Sequence, residues 1–315
     1  MNIQKPLYVG ADLGGTKICA VVFDASLRPL FNTQVPSDAS AGKQRALDAL
    51  EGAIAQCIDW CSESNVKEHV AGIGVSTAGV VDAHVGVIVD ATDAIPGWCG
   101  TRLADWVGDR FGFPVSIEND VKCALLGELS VSPDLVKART AMLTLGTGLG
   151  GAMAEQGKIV PGAHMVAGHF GRMPIPSPWE RGRILSLEQL VSGTGLANVA
   201  SREVGGRNFA DGRDVVKYAA AGDAQALRGL DRFCEFLVMA LEQLYWGLDP
   251  DVVLVGGGLS EAREHWWLRM IEKLDQRGLP LEVRPAKLHN DAGVYGAGAL
   301  IKTKLVSGVV ANADQ

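Results

Sequence analysis

One pattern occurs twice and limits the fold more than any other feature. An apolar run at residues 7–11 passes through Asp12 into Gly14-Gly15-Thr16-Lys17, and a second β-like run, 18–23, follows at once. Residues 140–145 run into Gly146-Thr147-Gly148-Leu149-Gly150-Gly151, followed by a short strand at 152–155 and a turn at 156–158. A strand that turns through glycine into another strand predicts a hairpin. Its recurrence predicts two related α/β halves. The length of 315 residues agrees, since it predicts two domains or one large one. Glycine is in excess, 39 residues with no Gly-X-Y period, so its placement in turns is the first question.

The remaining pattern is that of an α/β chain. Residues 29–35, 70–76, 85–89, 114–117 and 251–255 read as strands. Residues 42–62, 103–111, a stretch from about 120, 223–247 and 293–304 read as helices. Residues 174–186, rich in proline and charge, read as a loop. A net charge of −7 argues against a broad electrostatic grip on nucleic acid or anionic membranes. No secretory h-region and no 18-residue apolar run is present, which predicts a cytoplasmic protein without a membrane span. The six cysteines are scattered without a CxxC pair and read as reduced thiols.

Several glycine turns bear chemistry, each with a bland alternative. Asp12 to Thr16 can be a nest of N–H groups for phosphate with a Mg²⁺-binding aspartate, or a tight hairpin with an Asp cap. The 146–151 turn contains Gly-x-Gly-x-Gly, but a strand rather than a helix follows, so it is a poor dinucleotide fingerprint. No GxxxxGK[ST] occurs. Residues 252–255 end in Gly256-Gly257-Gly258, where open α/β sheets bind ligands or merely turn into a helix. Asn119-Asp120 can be a hydroxyl ligand and a general base, or a helix N-cap. Trp98 can stack on a sugar or be an ordinary half-buried tryptophan.

Taken in order, the set resembles the ROK family of the actin/hexokinase-like ATPase superfamily, over residues 7 to about 301. Asp12-Leu13-Gly14-Gly15-Thr16-Lys17 matches its first phosphate motif, Gly146-Thr147-Gly148 lies in its second, and Gly256-Gly257-Gly258 ends its adenosine motif. Glu118-Asn119-Asp120 matches its sugar-contacting Asn and catalytic Asp. Two departures stand out. The family's Ala-Gly-Glu-x-Gly-His is here Ala167-Gly168-His169-Phe170-Gly171-Arg172, and its cysteine-rich zinc loop is replaced by Ser177 to Arg183 without a cysteine. Glu188 matches a sugar-contacting glutamate. His169 resembles the bacterial N-acetylmannosamine kinases of the family; the alternative is drift in an altered loop. Arg172 can pair with Glu188 or Asp120, reach a substrate carboxylate, or face solvent.

The resemblance implies two ribonuclease H-like α/β domains, 1–118 plus 293–315 and 119–292, each with a mixed five-stranded sheet, closing over a cleft. It implies a homodimer and an ATP- and Mg²⁺-dependent sugar kinase without zinc. ATP is expected on Asp12, Gly14, Gly15, Thr16, Lys17, Gly146, Thr147, Gly148, Gly256, Gly257 and Gly258, with Asp12 on Mg²⁺. The sugar is expected on Gly79, Asn119, His169, Arg172 and Glu188, with Asp120 as the base acting at O6. N-acetylmannosamine leads, and glucose or another hexose is the alternative. A catalytically silent sugar binder is a further reading. A DNA-binding repressor is disfavoured, because the first motif starts at residue 12.

Overall fold

The structure, a computed structural model, describes residues 5–64, 66 and 69–313. The first half of the chain runs β1 (Leu7–Leu13), β2 (Lys17–Phe23), β3 (Pro29–Pro36), α1 (Lys43–Glu63), β4 (Val70–Thr77), β5 (Val80–Asp82), β6 (Val87–Asp90), α2 (Leu103–Phe111), β7 (Val115–Asn119) and α3 (Asp120–Ser130). The sheet order is β3-β2-β1-β4-β7, an antiparallel meander continued by two parallel strands. Strands β1 and β4 are buried almost throughout, which explains their continuous apolar runs. Helix α1 lays Leu50, Ile54, Cys57 and Ile58 against this sheet. Burial pushes the Cys57 thiol up to about 12, so it is an inert core residue.

The second half runs β8 (Thr140–Leu145), β9 (Leu149–Glu155), β10 (Lys158–Ile159), β11 (Pro174–Pro176), β12 (Ile184–Ser186), α4 (Gly193–Ser201), α5 (Gly212–Ala220), α6 (Ala224–Leu248), β13 (Val252–Gly256), α7 (Trp267–Asp275), β14 (Glu282–Pro285) and α8 (Ala292–Ala313). Its sheet, β10-β9-β8-β13-β14, repeats the first: a three-stranded meander, then two parallel strands. Helices α4, α5 and α6 each start on a side-chain cap, Ser192, Asp211 and Asp223.

Internal contacts divide the chain into two units. The first runs to Pro133 and takes in Ala163–Met165 and the chain from Asp291 onward; the second is Asp134–Gly162 with Val166–Asn290. This differs from the expected boundary at 118/119. Helix α3 belongs to the first unit because glycines let it lie backbone to backbone on α8: a Cβ at Gly127 would overlap the Ala292 carbonyl, and one at Gly296 the Cys123 carbonyl.

Three local expectations change. The 174–186 stretch is a small hairpin, because Ile175 and Leu185 are buried opposite each other, and its prolines sit on edges where no N–H is needed. The 85–89 strand is shifted to β6 and pairs with β5, while Val85 lies exposed in the turn. Gly150 and Gly151 lie within β9 rather than in the turn, since a Cβ at Gly151 would strike the Phe170 ring. No helix among the described residues is long and apolar enough to cross a membrane.

Candidate active site

The ends of β1, β4 and β7 set out one part of the site. Asp12, Ser76 and Glu118 are in register across these parallel strands and so share a face. The Ser76 hydroxyl donates to Asp12 Oδ1 at 2.5 Å. Gly293, at the start of α8, leaves room for the carboxylate; a Cβ there would come within 2.7 Å of Asp12 Cγ. Burial raises the Asp12 pKa, against the lowering effects of the Ser76 hydrogen bond and the Lys17 charge. Such a carboxylate gains by meeting a cation. On the other face Thr77 and Asn119 are in register, and the Trp98 indole N–H donates to Thr77 Oγ1 at 3.2 Å. Trp98 is only 1% exposed, so it supports the site from beneath and does not stack on a ligand.

Asn119 has two jobs. As the N-cap of α3 its Oδ1 accepts the N–H groups of Val121 and Lys122. Its Nδ2 donates to the Gly79 carbonyl and to Asp120 Oδ1, both at 2.8 Å. The N-cap reading of Asn119 holds, and it leaves the functional reading of Asn119-Asp120 open. Asp120 Oδ1 also accepts the Val121 N–H, and among the described residues Oδ2 accepts no hydrogen bond. Burial, with the nearby Asp12 charge adding to it, pushes the Asp120 carboxyl up to about 6. Gly79 adopts φ +105°, which presents its carbonyl to Asn119.

The two hairpin turns repeat one arrangement. In the first unit, the Gly14 N–H bonds to the Lys17 carbonyl; in the second, the Gly146 N–H bonds to the Gly148 carbonyl. The following N–H groups, of Gly15 and Thr16 and of Thr147 and Gly148, have no protein acceptor among the described residues. Paired N–H groups of this kind suit phosphate oxygens. The Gly146 and Thr147 carbonyls are taken up by the start of α4, through the Gly193 N–H and the Thr194 hydroxyl. Lys17 is exposed, with its ammonium 3.4 Å from Gln34 Oε1.

The third turn lies beside the second. Gly257 has φ +86°, and a Cβ there would stand 2.6 Å from the Leu145 N. Trp266 is fully buried under the following 3-10 turn and donates to the Leu259 carbonyl. Gly146, Thr147 and Gly258 share a cavity of about 420 Å³ with Val216, Leu259 and Lys217. Its apolar wall and few polar groups suit a nucleoside. The α5 contribution is missed by the sequence reading; its one local signal is the Asp211-Gly212 cap. Gly256 packs against Ala286 and Met142 and works as a structural glycine.

The residues expected on the sugar side, His169, Arg172 and Glu188, follow β9 and flank the hairpin. His169 heads a single 3-10 turn ending at Arg172, whose side chain is exposed. His169 Nδ1 lies 3.1 Å from the Val166 carbonyl. A carbonyl only accepts, so Nδ1 carries the hydrogen of this contact. Glu188 Oε2 accepts the Leu149 N–H at 2.9 Å and lies over Gly148, where a Cβ would displace the carboxylate. It is thus bonded to the second glycine turn. At the hairpin base the Leu187 N–H donates to the Met173 carbonyl. At its tip Trp179 packs edge-on against Phe236 and under the Arg202 guanidinium.

Comparison with known proteins agrees with this geometry. An N-acetyl-D-glucosamine kinase of Vibrio atlanticus is 30% identical, the match covering 93% of this chain and 99% of that one. The crystal structure of a ROK hexokinase from Thermus thermophilus is similar at a TM-score of 0.79 and 30% identity, over 96% of this chain and 100% of that one. A ROK family glucokinase from Streptomyces griseus, in complex with glucose and AMPPNP, gives 0.74 and 27%, over 93% and 98%. The fold is therefore actin/hexokinase-like. The ROK family profile matches residues 8–304, nearly the whole described chain, and the chain belongs to the ROK family.

Proposed function

We propose that this protein is a sugar kinase that moves the γ-phosphoryl group of ATP to O6 of a hexose or N-acylhexosamine, with N-acetylmannosamine preferred. The observation that carries the reading is Asp120: a carboxylate at a helix N-terminus, oriented through Oδ1 by Asn119, with Oδ2 available to a hydroxyl. The relatives, a hexokinase, a glucokinase and an N-acetylglucosamine kinase by name, support sugar phosphorylation.

In this mechanism the sugar hydroxyl donates to Asp120 Oδ2. As its oxygen bonds to the γ-phosphorus, the proton passes to Asp120 and the bond to the ADP oxygen breaks. In each unit a free N–H pair suits phosphate oxygens, Gly15 with Thr16 in the first and Thr147 with Gly148 in the second, and the 420 Å³ cavity of the second suits the nucleoside. Among the described residues no group of three or more His, Cys, Asp or Glu is placed to hold a metal. Asp12 alone suits a Mg²⁺ ion that arrives on the phosphates and keeps its waters. When bound, Mg²⁺ supplies charge neutralisation on the transferring group.

His169 motivates the choice of sugar. With Nδ1 turned to the Val166 carbonyl, the imidazole has at most one ring nitrogen for a sugar where a carboxylate has two acceptor oxygens, so the preferred hydroxyl pattern near C1 and C2 should depart from that of glucose. Glucose and N-acetylglucosamine are the competing substrates, favoured by the names of the relatives. A coupled ADP-release screen over hexoses and N-acetylhexosamines decides the matter. The highest kcat/KM is expected for N-acetylmannosamine, and a strong preference for glucose would overturn the choice.

A further inference from the structure

Among the described residues Lys122 is the one fully buried lysine, and the mechanism above does not use it. It sits in the first turn of α3, where the helix dipole disfavours a cation. Burying an ammonium is costly unless specific partners repay it. Its closest charge, Glu118 Oε1, is 3.8 Å away, beyond a good hydrogen bond. That same oxygen accepts the Asn119 N–H at 2.8 Å. The lysine's own hydrogen bond goes instead to the Met165 carbonyl, at 2.8 Å. Met165 is a non-glycine residue at φ +61°, in the left-handed region, which persists only where its surroundings impose it. Ala163–Met165 is also the only part of residues 134–290 that groups with the first unit, where Lys122 lies. Four residues further along the chain is His169.

We infer that Lys122 is a positioning residue for sugar binding. Its ammonium ties the Met165 carbonyl to the first turn of α3, next to Asn119 and Asp120, and the tied segment continues along the chain to His169. A methionine would fill nearly the same space but could not make this bond. The inference rests on the sugar-kinase reading for its functional consequence but not for the tether itself.

The test uses Lys122→Met and, should the lone Glu118 charge prevent folding, the double variant Glu118→Gln/Lys122→Met, which removes both charges at nearly constant volume. In folded variant protein KM for the preferred sugar should rise about 10–100-fold while KM for ATP stays within about 2-fold. Hydrogen exchange of ligand-free protein should quicken across residues 163–172. A purely structural role would lower Tm but leave sugar KM and that exchange as in wild type, and this result would overturn the inference. If wild-type protein phosphorylates no sugar, the kinase reading fails. The exchange measurement then still tests the tether.

Discussion

Asp120 is charged against its surroundings. Burial and the Asp12 carboxylate disfavour the ionised form, so the folded-state pKa, about 6, lies above the ordinary carboxylate value. Ionised Asp120 therefore costs the fold stability at pH values above about 6, and that cost disappears as pH falls below the unfolded value near 4. Asp120→Asn keeps an Oδ1 acceptor for Asn119 and Val121 and removes the charge. It should stabilise the ligand-free protein by about 2 kcal/mol at pH 7.5 and by little near pH 4. Thermal denaturation at the two pH values checks this; a variant equally stable with wild type at pH 7.5 would show that the site carries no such strain. His169→Glu should raise the kcat/KM ratio of glucose to N-acetylmannosamine by about 10-fold, consistent with one altered hydroxyl contact. Competition assays with both sugars read that ratio directly.

At the level of elements, contacts distant in sequence do the positioning. Ser76 and Asp12 are 64 residues apart and meet only because β1 and β4 pair in parallel. Gly293 returns on α8 to the same carboxylate. No local motif announces either residue, nor Lys122, whose burial depends on Met165. By contrast Asp12, Asn119, Asp120 and the glycine turns are legible, because strand–glycine–strand and cap signals are local. The 174–186 hairpin is read as a loop because each of its strands has only three residues. Helices α4 and α5 are not read from the sequence because both open on glycine, a poor helix former, whereas α2, of the same nine-residue length, opens on leucine. Gly293→Ala should press on Asp12 and raise the Mg²⁺ needed for half-maximal activity about 10-fold, with sugar KM little changed; a Mg²⁺ titration at saturating sugar measures it. Trp179 takes up the hairpin tip where the family carries a cysteine loop. Trp179→Ala should cost about 2 kcal/mol by thermal denaturation. Purified wild-type protein should contain no stoichiometric zinc by elemental analysis, and finding it would show that another ligand set replaces the cysteines.

In the whole molecule, one sheet plan is used twice: a meander whose first turn frees two N–H groups, extended by two parallel strands. The recurrence is visible in the sequence as two strand–glycine–strand signals, whose turns take up Gly14, Gly15, Gly146 and Gly148. The acidic net charge does not oppose phosphate binding on this plan, because backbone N–H groups and an accompanying cation meet the phosphates. What the plan requires above all is a base at the start of α3. The most direct test is turnover and sugar binding of Asp120→Asn beside wild type. ADP release stimulated by the preferred sugar should fall about 10²–10⁴-fold, while calorimetry finds the sugar still bound. A variant that keeps wild-type kcat would contradict the assignment of Asp120 as the base and, with it, the mechanism.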